Sequence, residues 1–463
     1  MRRWTGRGGR ALLWAPGKGR CGKAEESMEM EDHEETLEGE YKEGAAFYHT
    51  GESGREGTLP LGERKWFGLG RNVFFLGLTS YFNDLSSEMI YPLLPLFLTE
   101  VLGAGALLLG LLEGLAELVN SLLKLFSGWW SDRLRRSKGL VAAGYSVSAA
   151  ARTSLALVTA PWQALGAWVL NRLGKGVRTS PRDALIAASC PDGARGRAFG
   201  FHRAMDHLGA LSGAAASSIL LALALDVRAV FAWAALPAGI SLLALMLGVR
   251  ESAARGGARG MGSGACAADS PPREEKSVLS RDFKFLLAAV FLFTLGNSSD
   301  AFLLLRARHA GLSPVLLPAI WGVFHVVKAV VSVPGGALSD RWGRKKTILL
   351  GWGIYVLTYG GFALAGGAGW VWLLFPFYGL YYLVEPVERA LVADLCVPGT
   401  RGRAYGLYNF AVSVTILPAS LLMGWWWEVL GPRRAFLPGA GLALFASLLL
   451  LGVREGCREG RRE

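Results

Sequence analysis

From Phe67 onward, apolar stretches of similar length recur, separated by short polar loops. A bilayer's hydrocarbon core, ~30 Å thick, requires about 20 mainly apolar residues per helix. On that criterion the pattern predicts twelve spans, at 73–99, 105–126, 140–159, 161–178, 199–225, 228–249, 284–305, 314–335, 347–366, 369–391, 404–427 and 435–453. The boundary between the fourth and fifth is the least sharply marked, because 172–206 is rich in Arg and Asp. A Gly- and Arg-rich stretch, Arg250 to Arg281, separates six spans from six. The expected organisation is a first six-helix bundle over 67–249, a cytoplasmic linker over 250–283, a second bundle over 284–453 and a cytoplasmic tail over 454–463. Residues 1–66 have no apolar content to build a core: Met1 to Lys23 is basic, and Glu25 to Glu43 holds ten acidic residues. A disordered polar tail is expected there. Its one apolar run, Ala11 to Ala15, is too short for a signal-peptide core.

Composition excludes an ordinary soluble chain. Of 463 residues 52% are hydrophobic and only 19% charged, against roughly 25% charged in soluble domains. The net charge of +12 would suggest a nucleic-acid partner on a soluble protein, but its placement suggests a membrane. Arg133, Arg135, Arg136 and Lys138 follow helix 2; Arg178, Arg182, Arg195 and Arg197 follow helix 4; Arg341, Arg344, Lys345 and Lys346 follow helix 8. The alternate loops are nearly bare of Lys and Arg. By the positive-inside rule the even-numbered loops and both termini are cytoplasmic, in the inner (plasma) membrane, and nucleic acid is not a partner. The five cysteines are scattered with no CxxC pair, so neither a zinc pattern nor a disulfide framework is expected. The histidines do not cluster as metal ligands, and there is no phosphate-binding Gly-x-x-x-x-Gly-Lys-Ser/Thr loop. The chain is therefore expected to be neither an enzyme nor an ATP-driven pump, and to need no cofactor or metal.

The two sets of six spans repeat one another. Gly128-Trp-Trp-Ser-Asp132-Arg133-Leu-Arg135-Arg136 matches Gly336-Ala-Leu-Ser-Asp340-Arg341-Trp-Gly343-Arg344 at an offset of 208. Arg195-Gly-Arg197-Ala-Phe-Gly200 matches Arg401-Gly-Arg403-Ala-Tyr-Gly406 at an offset of 206. Parallel repeats of this kind are one architecture of secondary transporters. The Gly-x-x-x-Asp-Arg-x-Gly-Arg-Lys signature, complete from Gly336 to Lys345, resembles the major facilitator superfamily, in its drug/proton-antiporter-like branch among bacterial permeases. Three positions depart from the family pattern. Arg135 stands at the usual glycine of the first copy, Lys175 at the usual glutamine of Arg172-Leu-Gly-Lys175-Gly176, and Ala214 at the usual proline of helix 5. The resemblance covers about 67–453. It implies an all-α polytopic membrane protein of twelve transmembrane helices in two six-helix repeats. It also implies gating loops at Gly128, Asp132 and Arg133 and at Gly336, Asp340, Arg341 and Arg344.

Charges inside spans are expensive and mark candidate function. Asp84 and Glu88 lie four apart on helix 1, hence on one face. Two carboxylates in a low-dielectric site repel, and a proton held there would serve coupling. Glu113, Glu117, Asn120 and Lys124 form a stripe on helix 2. Repeat alignment places His325 opposite Glu117, Lys328 opposite Asn120 and Ser332 opposite Lys124, so helix 8 is expected to face the same aqueous cavity. Asp300 on helix 7 occupies the place of Asp84. Arg152 and Arg172 are deep cations that need a carboxylate, an anionic ligand or water, and the resemblance links Arg172 to proton coupling. The expected function is a monomeric, proton-coupled exporter of a small molecule working by alternating access. Its partners are substrate, protons and the lipid bilayer. The alternatives are an uptake symporter, which the missing helix 5 proline keeps open, and a non-transporting sensor on the same fold. The candidate cavity residues Asp84, Glu88, Glu113, Glu117, Arg152, Arg172, Asp300, His325 and Lys328 carry both charge signs, so charge alone does not choose the substrate.

Overall fold

The structure, a computed structural model, describes residues 70–134, 137–190, 195–251, 280–395 and 401–454, all of them helix or short connection. The expected tail over 1–66, most of the 250–283 linker, and the C-terminal tail beyond Arg454 lie outside the described residues.

Twelve helical spans are present among the described residues. Helix 1 (Arg71–Ile90) continues through short turns to Val101, past Pro92 and Pro95, which deny it two backbone donors. Helix 2 is Ala106–Leu134, helix 3 Ser137–Ser154, helix 4 Pro161–Ala188 and helix 5 Arg195–Ala222. Helix 6 is Val227–Gly248 and helix 7 Arg281–His309. Helices 8 and 9 are Leu316–Trp342 and Arg344–Leu364. Helix 10 runs as Ala368–Tyr381, a short 3-10 turn and Glu385–Leu395. Helix 11 lies within Arg401–Arg434, kinked at Gly431, and helix 12 is Phe436–Leu451. Five of these are individually long and apolar enough to cross a membrane; the others are broken, carry charged residues or, like helix 12, are apolar but shorter. Their outward faces present large apolar side chains such as Leu157, Leu247 and Leu364, as lipid contact requires.

Helix 4 is the main departure from the expected spans. It runs ten residues beyond 178, so Arg178 and Arg182 lie in the helix and not in a loop. Arg178 turns inward over the Tyr145 ring, 4.2 Å from its centroid, and donates to Ser148 Oγ at 2.8 Å. Hydropathy counts such an arginine as a loop residue, although its charge is absorbed by helix 3.

The halves pack by the same plan. Helices 1 and 5, 3 and 4, and 2 and 4 pair in the first, as 7 and 11, 9 and 10, and 8 and 10 do in the second. Lys138 caps carbonyls at the end of helix 6, including Met246 O at 3.0 Å, and Lys345 does the same for helix 12 through Val453 O at 2.8 Å. A cation at a helix C-terminus satisfies orphan carbonyls and the macrodipole. These ends share a face with Gly70 and Arg454, called here the terminal face. The opposite, far face carries exposed Trp162, Trp233, Trp370 and Trp425, suited to a membrane interface.

Gly343 turns the chain from helix 8 to helix 9 at φ +98° and ψ 149°, a region open to glycine and costly to other residues. Gly343→Ala is expected to destabilise the protein by about 1–3 kcal/mol, read as a lower unfolding temperature of the purified protein. Arg135, at the matching place in the first copy, lies outside the described residues.

Candidate functional site

The site is built where the helices of the two halves meet. On helix 1, Asn83 donates to Asp84 Oδ1 at 2.8 Å and itself receives Arg152, whose Nη1 reaches Asn83 O at 3.1 Å and Nη2 reaches Asn83 Oδ1 at 2.8 Å. Arg152 is 2% exposed. Its charge is spent on tying helix 3 to helix 1, and it meets Asp84 only through Asn83. One turn further, Glu88 Oε2 accepts from Trp321 Nε1 of helix 8 at 2.8 Å. This bond crosses from the first half to the second.

Glu113 of helix 2 makes a second crossing, accepting from Ser299 Oγ of helix 7 at 3.0 Å, while its other carboxylate oxygen is buried without a partner among the described residues. Below it Glu117 accepts from Asn120 at 2.8 Å. Arg172 lies within electrostatic reach of Glu117, Glu113 and Glu88. Its guanidinium stands over Trp168 (5.0 Å) and Tyr91 (6.0 Å), within cation–π range of both rings. Lys175, one turn along the same face of helix 4, is exposed, yet its charged neighbours are Arg172, Glu117, Asp84 and Lys124. These come from helices 1, 2 and 4, so the surface it meets is an interior cavity and not lipid.

The second half answers with aromatic donors. Helix 7 breaks between Gly296 and Ala301; irregular backbone at membrane depth is tolerated where protein or a cavity satisfies it. Asp300, at the break, accepts from Tyr378 at 2.7 Å and Tyr382 at 3.0 Å, both on helix 10. Tyr355 donates to Gly296 O at 2.9 Å, and Ser298 pairs with Tyr359 at 3.1 Å. Lys328 Nζ sits 3.7 Å from the centroid of the Tyr382 ring. His325 packs edge-on against Trp321 with centroids 4.9 Å apart. Sequence reasoning missed Trp321 and the tyrosines. Their signal was the spacing of Tyr378 and Tyr382, and of Tyr355 and Tyr359, each pair four apart and so on one helix face.

Asp84, Glu88, Glu113, Glu117, Arg172, Asp300, His325 and Lys328 thus fall in one connected region, and Arg152 lies to its side as a tether. Glu385 and Glu388 divide similarly: Glu385 is exposed, while Glu388 is held by Trp352 at 3.1 Å and Tyr408 at 2.8 Å. A groove of about 480 Å³ between helices 3 and 6, lined by Ala149, Ala150 and Gly239 among others, lies apart and has no titratable group.

Toward the far face the halves are in direct contact. Arg308 of helix 7 pairs with Glu100 at the end of helix 1 through two bonds, 2.7 and 3.1 Å. Glu428 of helix 11 accepts from the Leu107 amide at the start of helix 2, at 3.0 Å. At the terminal face Arg344 joins Asp340 (2.8 Å) to Asp394 of helix 10 (3.4 Å), and Arg341 is exposed. Gly128, Asp132, Arg133, Gly336 and Ser332 lie outside the residues whose side chains the structure describes.

Residues 76–417 match the family model described as the Major Facilitator Superfamily. An uncharacterized MFS-type transporter of Methanocaldococcus jannaschii is 35% identical over 405 residues, which span 83% of this chain and 95% of that protein. Multidrug resistance protein MdtH of Cronobacter sakazakii is 27% identical over 357 residues, 73% of this chain and 82% of that protein. Among solved structures, a nucleoside transporter NupG mutant superposes with a TM-score of 0.68 at 13% identity, covering 82% of this chain and 99% of that one. A POT family transporter in complex with 5-aminolevulinic acid gives 0.67 at 13% identity over 84% and 97%. At such identity these two likenesses bear on the fold alone.

Proposed function

Because the chain belongs to the Major Facilitator Superfamily, and so is a multi-pass membrane transporter of small molecules, we propose that it is a proton-coupled exporter in which the bundles 67–249 and 284–453 rock about the site. The observation that carries this reading is the pair of bonds by which carboxylates of one half accept from neutral donors of the other, Glu88 from Trp321 and Glu113 from Ser299. A hydrogen bond to an ionised carboxylate is roughly twice as strong as a neutral one. A proton arriving at either group therefore weakens a link between the halves, by about 1 kcal/mol per bond. That is coupling in its simplest form: protonation and the interface equilibrium bias each other. The contacts at the far face describe a state closed on that side, which the positive-inside pattern makes the outside. The termini are then cytoplasmic and the membrane the plasma membrane. Export is supported by relatives named as multidrug resistance proteins. Ala214 in place of the expected helix 5 proline supports uptake by symport as the second reading.

Everted vesicles loaded with a pH-sensitive dye test the proposal. A substrate from a broad panel of drugs and organic acids is expected to cause proton movement, and Glu88→Gln with Glu113→Gln to abolish it. Proton movement unchanged in the double variant would overturn the coupling.

A further inference from the structure

The interior charges are not distributed as a cation site would need. Six interior carboxylates each accept from a neutral side-chain donor of the protein. Asn83 serves Asp84, Trp321 serves Glu88, Ser299 serves Glu113, Asn120 serves Glu117, Tyr378 and Tyr382 serve Asp300, and Trp352 and Tyr408 serve Glu388. Three basic side chains of helices 2 and 4 are in the opposite condition, unlike Arg178, which donates to Ser148, and Arg182, which pairs with Asp183. Among the described residues, Lys124, Arg172 and Lys175 make no hydrogen bond or ion pair through their side chains, and the Arg172 Nε is buried without a partner. Helix geometry brings the three together. Arg172 and Lys175 are three apart on one face. Helix 2 packs against that helix at the level of Lys124, whose carbonyl accepts from Ser180 at 2.9 Å, while Ser127 reaches the Gly176 carbonyl at 3.0 Å. Lys175 is within electrostatic reach of both other cations.

Three cations that, among the described residues, have no hydrogen-bond or ion-pair partner in a membrane interior are costly unless water or an anion meets them. Glu117 and Asp84 lie near enough to moderate their charge when the site is empty, but the donors themselves stay free. We propose that the transported molecule is an organic oxyanion, and that Lys124, Arg172 and Lys175 form its docking site. The guanidinium, over the Trp168 and Tyr91 rings, offers a fork that matches a carboxylate or a phosphate, and the lysines add point charge on its terminal-face side. The aromatic row Trp168, Tyr91 and Trp321, with centroids 6.0 and 5.1 Å apart, is buried beside the charge, an apolar surrounding that suits an anion carried on an apolar body. Lys175 is the one of the three departures from the family pattern that falls in this cluster: glutamine there would leave the site one charge poorer. The inference rests on the reading of the chain as a small-molecule transporter and fixes the substrate class that the sequence left open.

The test is binding to the purified full chain in detergent, without a gradient, read by tryptophan fluorescence and by shift of the unfolding temperature. The probes are benzoate, phenyl phosphate and the lipophilic cation tetraphenylphosphonium. At least one anion is expected to bind and the cation not to compete; which anion binds distinguishes a carboxylate from a phosphate. Lys175→Gln, which installs the residue usual in the family, is expected to weaken the anion by ten- to a hundredfold, the range for one charged hydrogen bond, and Lys175→Arg to retain it. Lys124→Gln provides the same reading should Lys175→Gln fold poorly. Unchanged anion affinity in the glutamine variants, binding of tetraphenylphosphonium in place of the anions, or no binding of either anion overturns the proposal. Cation-driven proton movement in vesicles would leave the coupling standing and sink this assignment alone. Anion binding without proton movement would do the reverse.

Discussion

Gly110→Val is expected to lower transport at least tenfold while the protein still folds into the membrane. Helices 2 and 11 cross between the halves near the far face with backbones almost touching. A Cβ at Gly110 would overlap the Ser420 carbonyl oxygen; one at Gly114 would lie 2.9 Å from Leu417 Cα, and one at Gly424 2.8 Å from Leu107 Cα. The obstructing atoms are backbone and cannot step aside by a rotamer change, so helix 11 must move away. Overpacking of this kind costs about 1–3 kcal/mol. Because the contact exists in the state closed at the far face, the cost falls on that state alone and shifts the equilibrium toward the one open there. Each 1.4 kcal/mol is about a tenfold change in population. The measurement is the labelling rate of a cysteine placed at Ser299, with the native cysteines replaced, by a membrane-impermeant reagent added from the far side, with and without Gly110→Val; transport is measured in Gly110→Val that keeps Ser299, whose bond to Glu113 the cysteine would disturb. Faster labelling with lost transport is the expected pair. Wild-type labelling and transport in Gly110→Val would mean that this crossing takes no part in the gate.

The twelve spans were legible because the bilayer imposes its own period on the sequence, and the two-fold plan because the Asp132 and Asp340 loops stand in the same frame. Helix ends were less so. Arg178 and Arg182 extend helix 4, since an arginine that finds Tyr145 and Ser148 on the neighbouring helix is no obstacle to a span, and hydropathy has no means of seeing where a side chain points. The charged members of the site could be counted along the chain, but their partners could not. Trp321 lies 233 residues from Glu88, and Ser299 lies 186 from Glu113. No local pattern specifies such pairs; they follow from how the halves dock. The break in helix 7 was hidden for a related reason. Asn297 to Asp300 read as a polar patch in a span, and only the hydroxyls of helices 9 and 10 explain how the backbone and the carboxylate there are satisfied.

Arg152 and Arg172 are both cations within spans whose surroundings hydropathy cannot tell apart, yet their substitution by methionine is expected to have opposite consequences. Arg152 donates twice to Asn83, at 3.1 and 2.8 Å, and Asn83 in turn donates to Asp84. Such a chain is polarised along its length. Removing its head leaves a buried carbonyl and a buried amide oxygen without their charged donor, at about 3 kcal/mol for the two bonds together. Arg152→Met should therefore appear as lost folded protein and a lower unfolding temperature. Arg172 makes no such bond. It rests on two rings and faces Glu117, Glu113 and Glu88, so methionine can keep much of its packing against Trp168 while the counter-charge to three carboxylates disappears. Arg172→Met should keep the unfolding temperature within the range of surface variants and lose transport about a hundredfold, the rate equivalent of ~3 kcal/mol. Arg172→Lys should not restore it, because a lysine supplies the charge without the planar fork that stands over Trp168 and Tyr91. If Arg172→Met unfolds as readily as Arg152→Met, the two arginines are both tethers, and the centre of the site lies instead at the carboxylates that cross between the halves.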